Sequence, residues 1–344
     1  MKLNQLSGRT PALPVSLMLE NGQTLVVEQW LRVLPEQRYV GKAQWQGRSV
    51  LVKILLGSKA ARQYQREQSG AQLLSEQKIP CAQLLETQQQ SDGSAYLLFE
   101  FIDNAQSLAD AWLECSAEQP LSERQTTVLG QALSTVAQMH LRGLWQSDLH
   151  LDNLLRQDNQ LYVVDGGGVQ SEHAGQPLSQ EKAVNNLAVF FAQLPSAFDV
   201  HLEELLIHYL LTNGEHALRL EKLQQQILSI RQWRVKDYLN KAGRECSLFS
   251  AQINLFGLRV IWRAAQDELE PLLSAPDNAI ASGHIYKTGG AATVARVKHG
   301  QRTLVIKRYN IKNVLHWLKR FWRPSRAWHS WREGHRLSVL GIAT

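Results

Sequence analysis

The stretch His140–Val169 reads HLRGLWQSDLHLDNLLRQDNQLYVVDGGGV, and its polar residues decide how the chain is read. It places a carboxylate at Asp148, an amide at Asn153 five residues later, and a second carboxylate at Asp165. Asn153 and Asp165 bracket a strand–turn–strand pattern with a polar turn at Gln157–Gln160. A hairpin brings its own ends together, so an amide oxygen and a carboxylate can meet one divalent cation. Asp148 follows an amphipathic helical run, where a carboxylate can orient a hydroxyl and accept its proton. Gly166, Gly167 and Gly168 carry no Cβ, and the expectation is that backbone and nucleotide approach each other there. Such a set suits a metal-bound nucleotide and attack on a phosphoryl group.

Working outward, the helical run before this stretch has Val128, Leu129, Leu133, Val136, Ala137, His140 and Leu141 at helical spacing. Ser122, with Gln125 three residues on, reads as its N-cap, and Gly143 as its end. Earlier still, residues 22–56 alternate as strands do, and QWQGRS around Gly47 reads as a hairpin tip. Lys53 lies on the second of these strands. Glu67 lies on the helical pattern of residues 59–75, placed to pair with the Lys53 ammonium and hold it toward phosphates. The apolar run AYLLFEFID at 95–103 reads as a further strand.

After Val169 the chain becomes helical, in LSQEKAVNNLAVFFAQL, VHLEELLIHYLL and ALRLEKLQQQILSIRQWRVKDYLNKA. A strand-rich front followed by a helix-rich back predicts an α+β, two-lobed architecture, not a parallel βαβ sheet. The composition, 44% hydrophobic and 20% charged over 344 residues, is that of an ordinary globular protein with room for a real core. No apolar run approaches a membrane span, and the first residues lack a continuous apolar signal-peptide core. Cys81, Cys115 and Cys246 are scattered without CxxC spacing, which argues for reduced cytoplasmic thiols and against structural zinc.

Beyond a Pro/Asp/Asn/Ser-rich joint near 269–282 the strand pattern restarts. GHIYKTGGAATVARVKHGQRTLVIKRYN forms another strand–turn–strand pair, and Lys307 is placed as Lys53 is placed. AWHSWREGHRLSVL then mirrors QYQREQSGAQLL, with Arg332-Glu333 matching Arg66-Glu67. The strand-rich lobe is therefore expected to be an internal repeat. No second catalytic stretch follows it, and the expectation is a fragment of a longer tandem protein.

The ordered set Lys53, Glu67, Asp148, Asn153 and Asp165 resembles the protein-kinase-like fold over residues 36–250. SDLHLDN and DGGG resemble the small-molecule kinases of bacteria, and KRYNIKNVLHWLKRFWRPSRAWHSWREGHRLSVLGIAT resembles the lipopolysaccharide kinase family. That resemblance implies an N-lobe at about 20–103, a C-lobe at about 104–255, a linker at 256–282 and a truncated second N-lobe at 283–344. It implies ATP and Mg²⁺ as cofactors and a heptose or Kdo hydroxyl of the lipopolysaccharide inner core as acceptor. By the same resemblance Asp148 is the catalytic base, Lys53 contacts phosphates, Glu67 anchors it, and Asn153 and Asp165 bind metal. Glu100, Phe101 and Ile102 would form the adenine-binding hinge. The chain departs from the pattern at Gln146, where a histidine is usual, and at LPEQRYVGKA, which has one glycine where a glycine-rich loop is usual. These departures motivate a second reading as a pseudokinase or scaffold protein; a protein kinase is the third.

The net charge of +6 is concentrated. Residues 307–336 hold nine Lys/Arg against Glu333, a balance of +8, so the remainder sums to −2. Trp317, Trp322, Trp328 and Trp331 interleave with these cations. The segment suits anionic lipid, a glycolipid or nucleic acid, or a solvated helix whose tryptophans pack on their own lobe. No recognised nucleic-acid module is visible. Contact with the inner face of an anionic inner membrane, from the cytoplasm, is the partner expectation beside the core sugar.

Overall fold

In the computed structural model, which describes residues 1–214, 218–254, 257–311, 318 and 322–342, the alternation at 38–55 becomes the centre of a sheet. The strands are β1 (Val15–Met18), β2 (Thr24–Leu34), β3 (Arg38–Trp45) and β4 (Arg48–Leu55), followed by helix α1 (Ala60–Glu76), then β5 (Leu84–Gln89) and β6 (Ala95–Glu100). Their order in space is β1-β2-β3-β4-β6-β5, antiparallel throughout. Gln46 and Gly47, both at positive φ, make the tight turn between β3 and β4 that the QWQGRS motif predicts.

The period of two sorts the side chains of this sheet. Val50, Val52 and Ile54 of β4, with Tyr96 and Leu98 of β6, bury against Leu17, Leu25 and Tyr39 on one face. Leu55, Leu97 and Phe99 point the other way and pack on Ala60 and Ala71 of α1. Lys53 shares the parity of Leu55, so it enters the α1 side, paired across to Val40 on β3 and Leu97 on β6. The sheet begins earlier than the boundary near residue 20: β1 pairs with β2, and Leu3, Leu6 and Leu17 are fully or almost fully buried in the same core.

The helical part follows as β7 (Gln106–Ser107), α2 (Leu108–Cys115) and α3 (Glu123–Leu141). Then come β8 (Leu144–Gln146), β9 (Leu154–Gln157), β10 (Gln160–Val163), β11 (Val169–Ser171), α4 (Gln180–Phe191), α5 (Leu202–Leu210) and α6 (Leu220–Lys241). Ser122 Oγ accepts from Gln125 N at 3.3 Å, but the Gln125 amide turns away to the carbonyls of Cys115 and Glu118, so only half of a capping box forms. Leu129, Leu133 and Val136 of α3 pack with Leu187, Phe190 and Tyr209 in one apolar core. The hairpin β9–β10 closes with Gln157 opposite Gln160, as the polar turn predicts.

The chain divides into two compact units, Met1–Arg231 and Gln232–Thr344, within α6. The second unit holds β12 (Phe249–Asn254), β13 (Gly257–Trp262), α7 (Gln266–Ser274), α8 (Pro276–Ser282), β14 (His284–Lys287), β15 (Ala292–His299), β16 (Arg302–Tyr309) and α9 (Arg326–Val339). Residues 256–282, read as a joint, thus carry a strand and two helices. The chain is a mixed α/β protein, a strand-rich antiparallel front followed by helices.

Of the basic, tryptophan-rich segment, Trp317, Lys319 and Arg320 lie outside the described residues. Trp331 packs inward: its indole Nε1 donates to Ala242 O at 2.7 Å and its ring lies 4.2 Å from His335. Trp328 lies against Gly243, whereas Trp322 is exposed.

Candidate active site

Lys53 stands at the centre of a buried charge cluster. Its Nζ donates to Glu67 Oε2 at 2.7 Å and to Asp165 Oδ1 at 2.9 Å, linking β4, α1 and the turn after β10. Glu67 Oε2 also accepts from Gly167 N at 3.1 Å, and Arg38 Nη1 lies 4.0 Å from Glu67 Oε1. Three residues scattered over 112 positions therefore meet at one ammonium.

The electrostatics follow from the burial. Desolvation opposes the charge on Lys53, yet the two carboxylates outweigh it and raise its pKa above the usual lysine value. Burial pushes Glu67 up, against the pull of Lys53. Burial would also raise Asp165, but Lys53 and then Arg38 overcome it and hold that carboxyl down at about 2. Lys53 and the two carboxylates are close enough to titrate as one coupled unit.

The glycines beside Asp165 also serve contacts within the protein. Asp165 takes a left-handed backbone conformation (φ 65°, ψ 63°), and Gly166–Gly168 form a short 3-10 turn that lies directly on α1. A Cβ on Gly70 would stand 2.6 Å from the Gly166 carbonyl carbon, and one on Gly167 would stand 2.7 Å from Glu67 Oε1. Turn and helix meet backbone to backbone. The same contact explains why a glycine interrupts the α1 pattern at position 70.

Gln146 completes the support. Its Nε2 donates to the carbonyls of Val164 at 3.0 Å and Asp165 at 3.1 Å. Behind it, Asn186 Nδ2 donates to Gln146 O at 2.7 Å, and the Asn186 Oδ1 faces His140 Nε2 at 3.0 Å, while His140 Nδ1 meets Tyr209 OH at 3.0 Å. Sequence reasoning read Gln146 as a departure from the usual histidine and missed these bonds. Nothing in the sequence points to Arg38; Gly70, as a break in a helical pattern, was a readable signal.

Asp148 lies on the exposed loop after β8, with His150 Nε2 at 3.7 Å. That nearby carboxylate raises the His150 pKa against the effect of burial. Asn153 Nδ2 donates to Asp148 O at 2.7 Å, and Asn153 O accepts from Val164 N at 2.9 Å. Asn153 thus ties the Asp148 loop to the residue preceding Asp165, engaging one of its two amide hydrogens in doing so. Its Oδ1 and the second oxygen of Asp165 are hard donors of the kind Mg²⁺ takes alongside waters and phosphates. Among the described residues no three His, Cys, Asp or Glu side chains gather as a metal cage. The donor set fits an ion held partly by its substrate.

Glu100, Phe101 and Ile102 run off the end of β6. Glu100 N donates to Gln83 O at 2.8 Å, and Lys42 Nζ sits 4.3 Å over the Phe101 ring. A small cavity of about 30 Å³ opens beside Lys53, lined by Leu51, Ala71, Cys81, Phe99, Val163 and Asp165 among others; none of the three hinge candidates borders it.

No protein-family model matches this chain, and no curated protein does. Among solved structures, one described as "WaaP in complex with acyl carrier protein" is 19% identical with a TM-score of 0.42, over 61% of this chain and 86% of that one.

Proposed function

We propose that the chain is a phosphotransferase that uses ATP and Mg²⁺ to phosphorylate a hydroxyl of a small sugar acceptor. The observation that carries this reading is the convergence of Lys53, Glu67 and Asp165, with Asp148 and Asn153 tied to the residue beside Asp165. Lys53, fixed by Glu67, would hold phosphate oxygens; Asp148, open to solvent, would orient the acceptor hydroxyl and take its proton. Asn153 and Asp165 would hold the magnesium, which when bound neutralises charge on the phosphates. The sequence resemblance supports a heptose or Kdo of the lipopolysaccharide inner core as the acceptor. No helix among the described residues is long and apolar enough to cross a membrane. The basic segment 307–336 supports attachment to an anionic bilayer surface from the cytoplasmic side.

The test is transfer of phosphate from Mg-ATP to core oligosaccharide by the purified chain. Wild type is expected to turn over and Asp148→Asn to lose at least about a hundredfold in kcat, the usual scale for a positioned acid or base. Equal rates for the two, or no transfer to any core sugar, would refute the proposal.

One observation favours a non-catalytic, nucleotide-free scaffold instead. Gly41, the single glycine of LPEQRYVGKA, is occupied by sheet packing: a Cβ there would stand 2.6 Å from Gln29 O. A thermal shift with Mg-ATP that vanishes in Lys53→Ala excludes that alternative.

A further inference from the structure

In the second unit, residues 304–311 line a groove of about 1600 Å³ without a break. Side chains of a strand alternate between two faces, so an unbroken run can form a wall only where the strand presents its edge. β16 is such an edge. The sheet order is β14-β15-β16, and among the described residues β16 pairs with β15 alone.

The first unit shows what stands at the corresponding edge. The pairing of β15 with β16 reproduces that of β3 with β4 residue for residue at a constant offset. Arg38 opposite Leu55 becomes Ala292 opposite Tyr309, and Val40 opposite Lys53 becomes Val294 opposite Lys307. On the face carrying Lys307 and Tyr309, α9 touches only the end of the strand, where Tyr309 OH and Ser330 Oγ hydrogen-bond at 2.5 Å, and Lys307 and Val305 stay exposed, unlike the buried Lys53. β4, however, has a second neighbour. β6 runs antiparallel along it, with Val50 opposite Glu100 and Leu55 opposite Ala95. Among the described residues β16 has no such neighbour.

We propose that the free edge of β16 takes up an extended acidic segment as an added antiparallel strand. The groove offers apolar walls for alternate side chains, from Leu258, Leu272 and Val305, the last 64% exposed. It also offers cations. Lys307, Arg323 and Arg326 line it, and none of them pairs with an acid among the described residues, unlike Arg308, which pairs with Asp277 at 2.7 Å. Charge decides against a second copy of the chain as occupant. Two-fold pairing of β16 with itself would crowd Arg302, Lys307 and Arg308 of both strands into one short ladder that contains no acid. β6 in the first unit supplies the pattern of a fitting guest, apolar along its length and ending in Glu100, with Asp103 beyond it held by Lys42 at 3.1 Å.

The test uses the whole chain and a fluorescent peptide with the sequence of residues 93–103, GSAYLLFEFID. Saturable binding is expected, with slower amide hydrogen exchange at residues 302–309 and unchanged exchange at 48–55. Replacing the peptide's two acids by lysine should weaken binding about tenfold or more, because the cations it meets are unpaired. Methylating alternate backbone nitrogens on the pairing edge should abolish it. Absence of binding or of protection at 302–309 overturns the proposal, as does equal binding of the lysine peptide. Protection that appears without peptide as the protein dimerises assigns the edge to a second copy and overturns it too.

Discussion

Adding one methyl group at position 70 tests how the charge cluster is held. In an exposed helix interior, Gly→Ala stabilises by about 1 kcal/mol, since glycine loses more backbone freedom. At Gly70 the new Cβ would stand 2.6 Å from the Gly166 carbonyl carbon and closer still to its oxygen. Both are backbone atoms and cannot rotate aside. Ordinary contact needs roughly 3.4 Å or more, and the oxygen sets the demand, so α1 and the turn must part by roughly 1.5 Å, at the ~3 kcal/mol of the upper end of overpacking. After subtracting the helix gain of about 1 kcal/mol, Gly70→Ala should destabilise the first unit by about 2 kcal/mol. The same separation stretches the 3.1 Å bond from Gly167 N to Glu67 and the 2.9 Å bond from Lys53 to Asp165, so Mg-ATP binding should weaken as well. Gly334 in α9 is the control: nothing lies within 4 Å of its Cβ position, and Gly334→Ala should stabilise by up to about 1 kcal/mol. Hydrogen exchange of α1 and α9 peptides in urea, with a nucleotide thermal shift, reads both effects. Equal stabilisation by the two substitutions, with α1 protection unchanged, would refute the backbone contact.

Other expectations follow from the same cluster. Gln146→Ala removes the donor to two carbonyls and should cost about 1–3 kcal/mol, seen in urea unfolding; no change would mean that water replaces the amide. Asp165 has its folded pKa depressed, so its contribution is present above its unfolded value near 3.8 and fades as pH falls toward about 2. Protection of the 163–169 turn should therefore persist at pH 5 and decline between about 4 and 2. Its decline already between pH 6 and 5 would contradict the depressed pKa of Asp165. His150 has its pKa raised by Asp148, so the pair contributes stability below the unfolded histidine value and loses it as pH rises through the folded one. Titration of the ring by NMR should show a lower pKa in Asp148→Asn.

Much of this arrangement was legible before any coordinates. Strict alternation at 38–55 fixed β3 and β4, and the polar turn fixed β9–β10, because period and turn chemistry are local properties. β1 and β5 were not legible. Prolines crowd the first, and the second, LLETQQ, is mostly polar; both become strands through pairing with β2 and β6, which no local pattern reports. Lys53 and Glu67 could be paired from their order on predicted elements. The contact of Gly166 and Gly167 with a helix was not legible, because a missing Cβ signals close approach without saying to what. Here the neighbour is α1. The expected match of Glu333 to Glu67 also failed at the level of contacts: Glu333 pairs with Arg336 at 3.4 Å, and no acid among the described residues pairs with Lys307.

The bonds behind Gln146 also settle where one proton sits. The Gln146 carbonyl can only accept, so Asn186 turns its NH₂ toward it and its oxygen toward His140. That oxygen can only accept, so the hydrogen of a neutral His140 ring must be on Nε2, leaving Nδ1 to receive the Tyr209 hydroxyl. Asn213 Nδ2, in turn, donates to that hydroxyl at 3.1 Å. Each donor thus has a single possible direction, and neither the amide of Asn186 nor the imidazole can flip alone without setting two donors or two acceptors face to face. The imidazole tautomer is thus written into the fold from the backbone carbonyl of Gln146, two residues before Asp148.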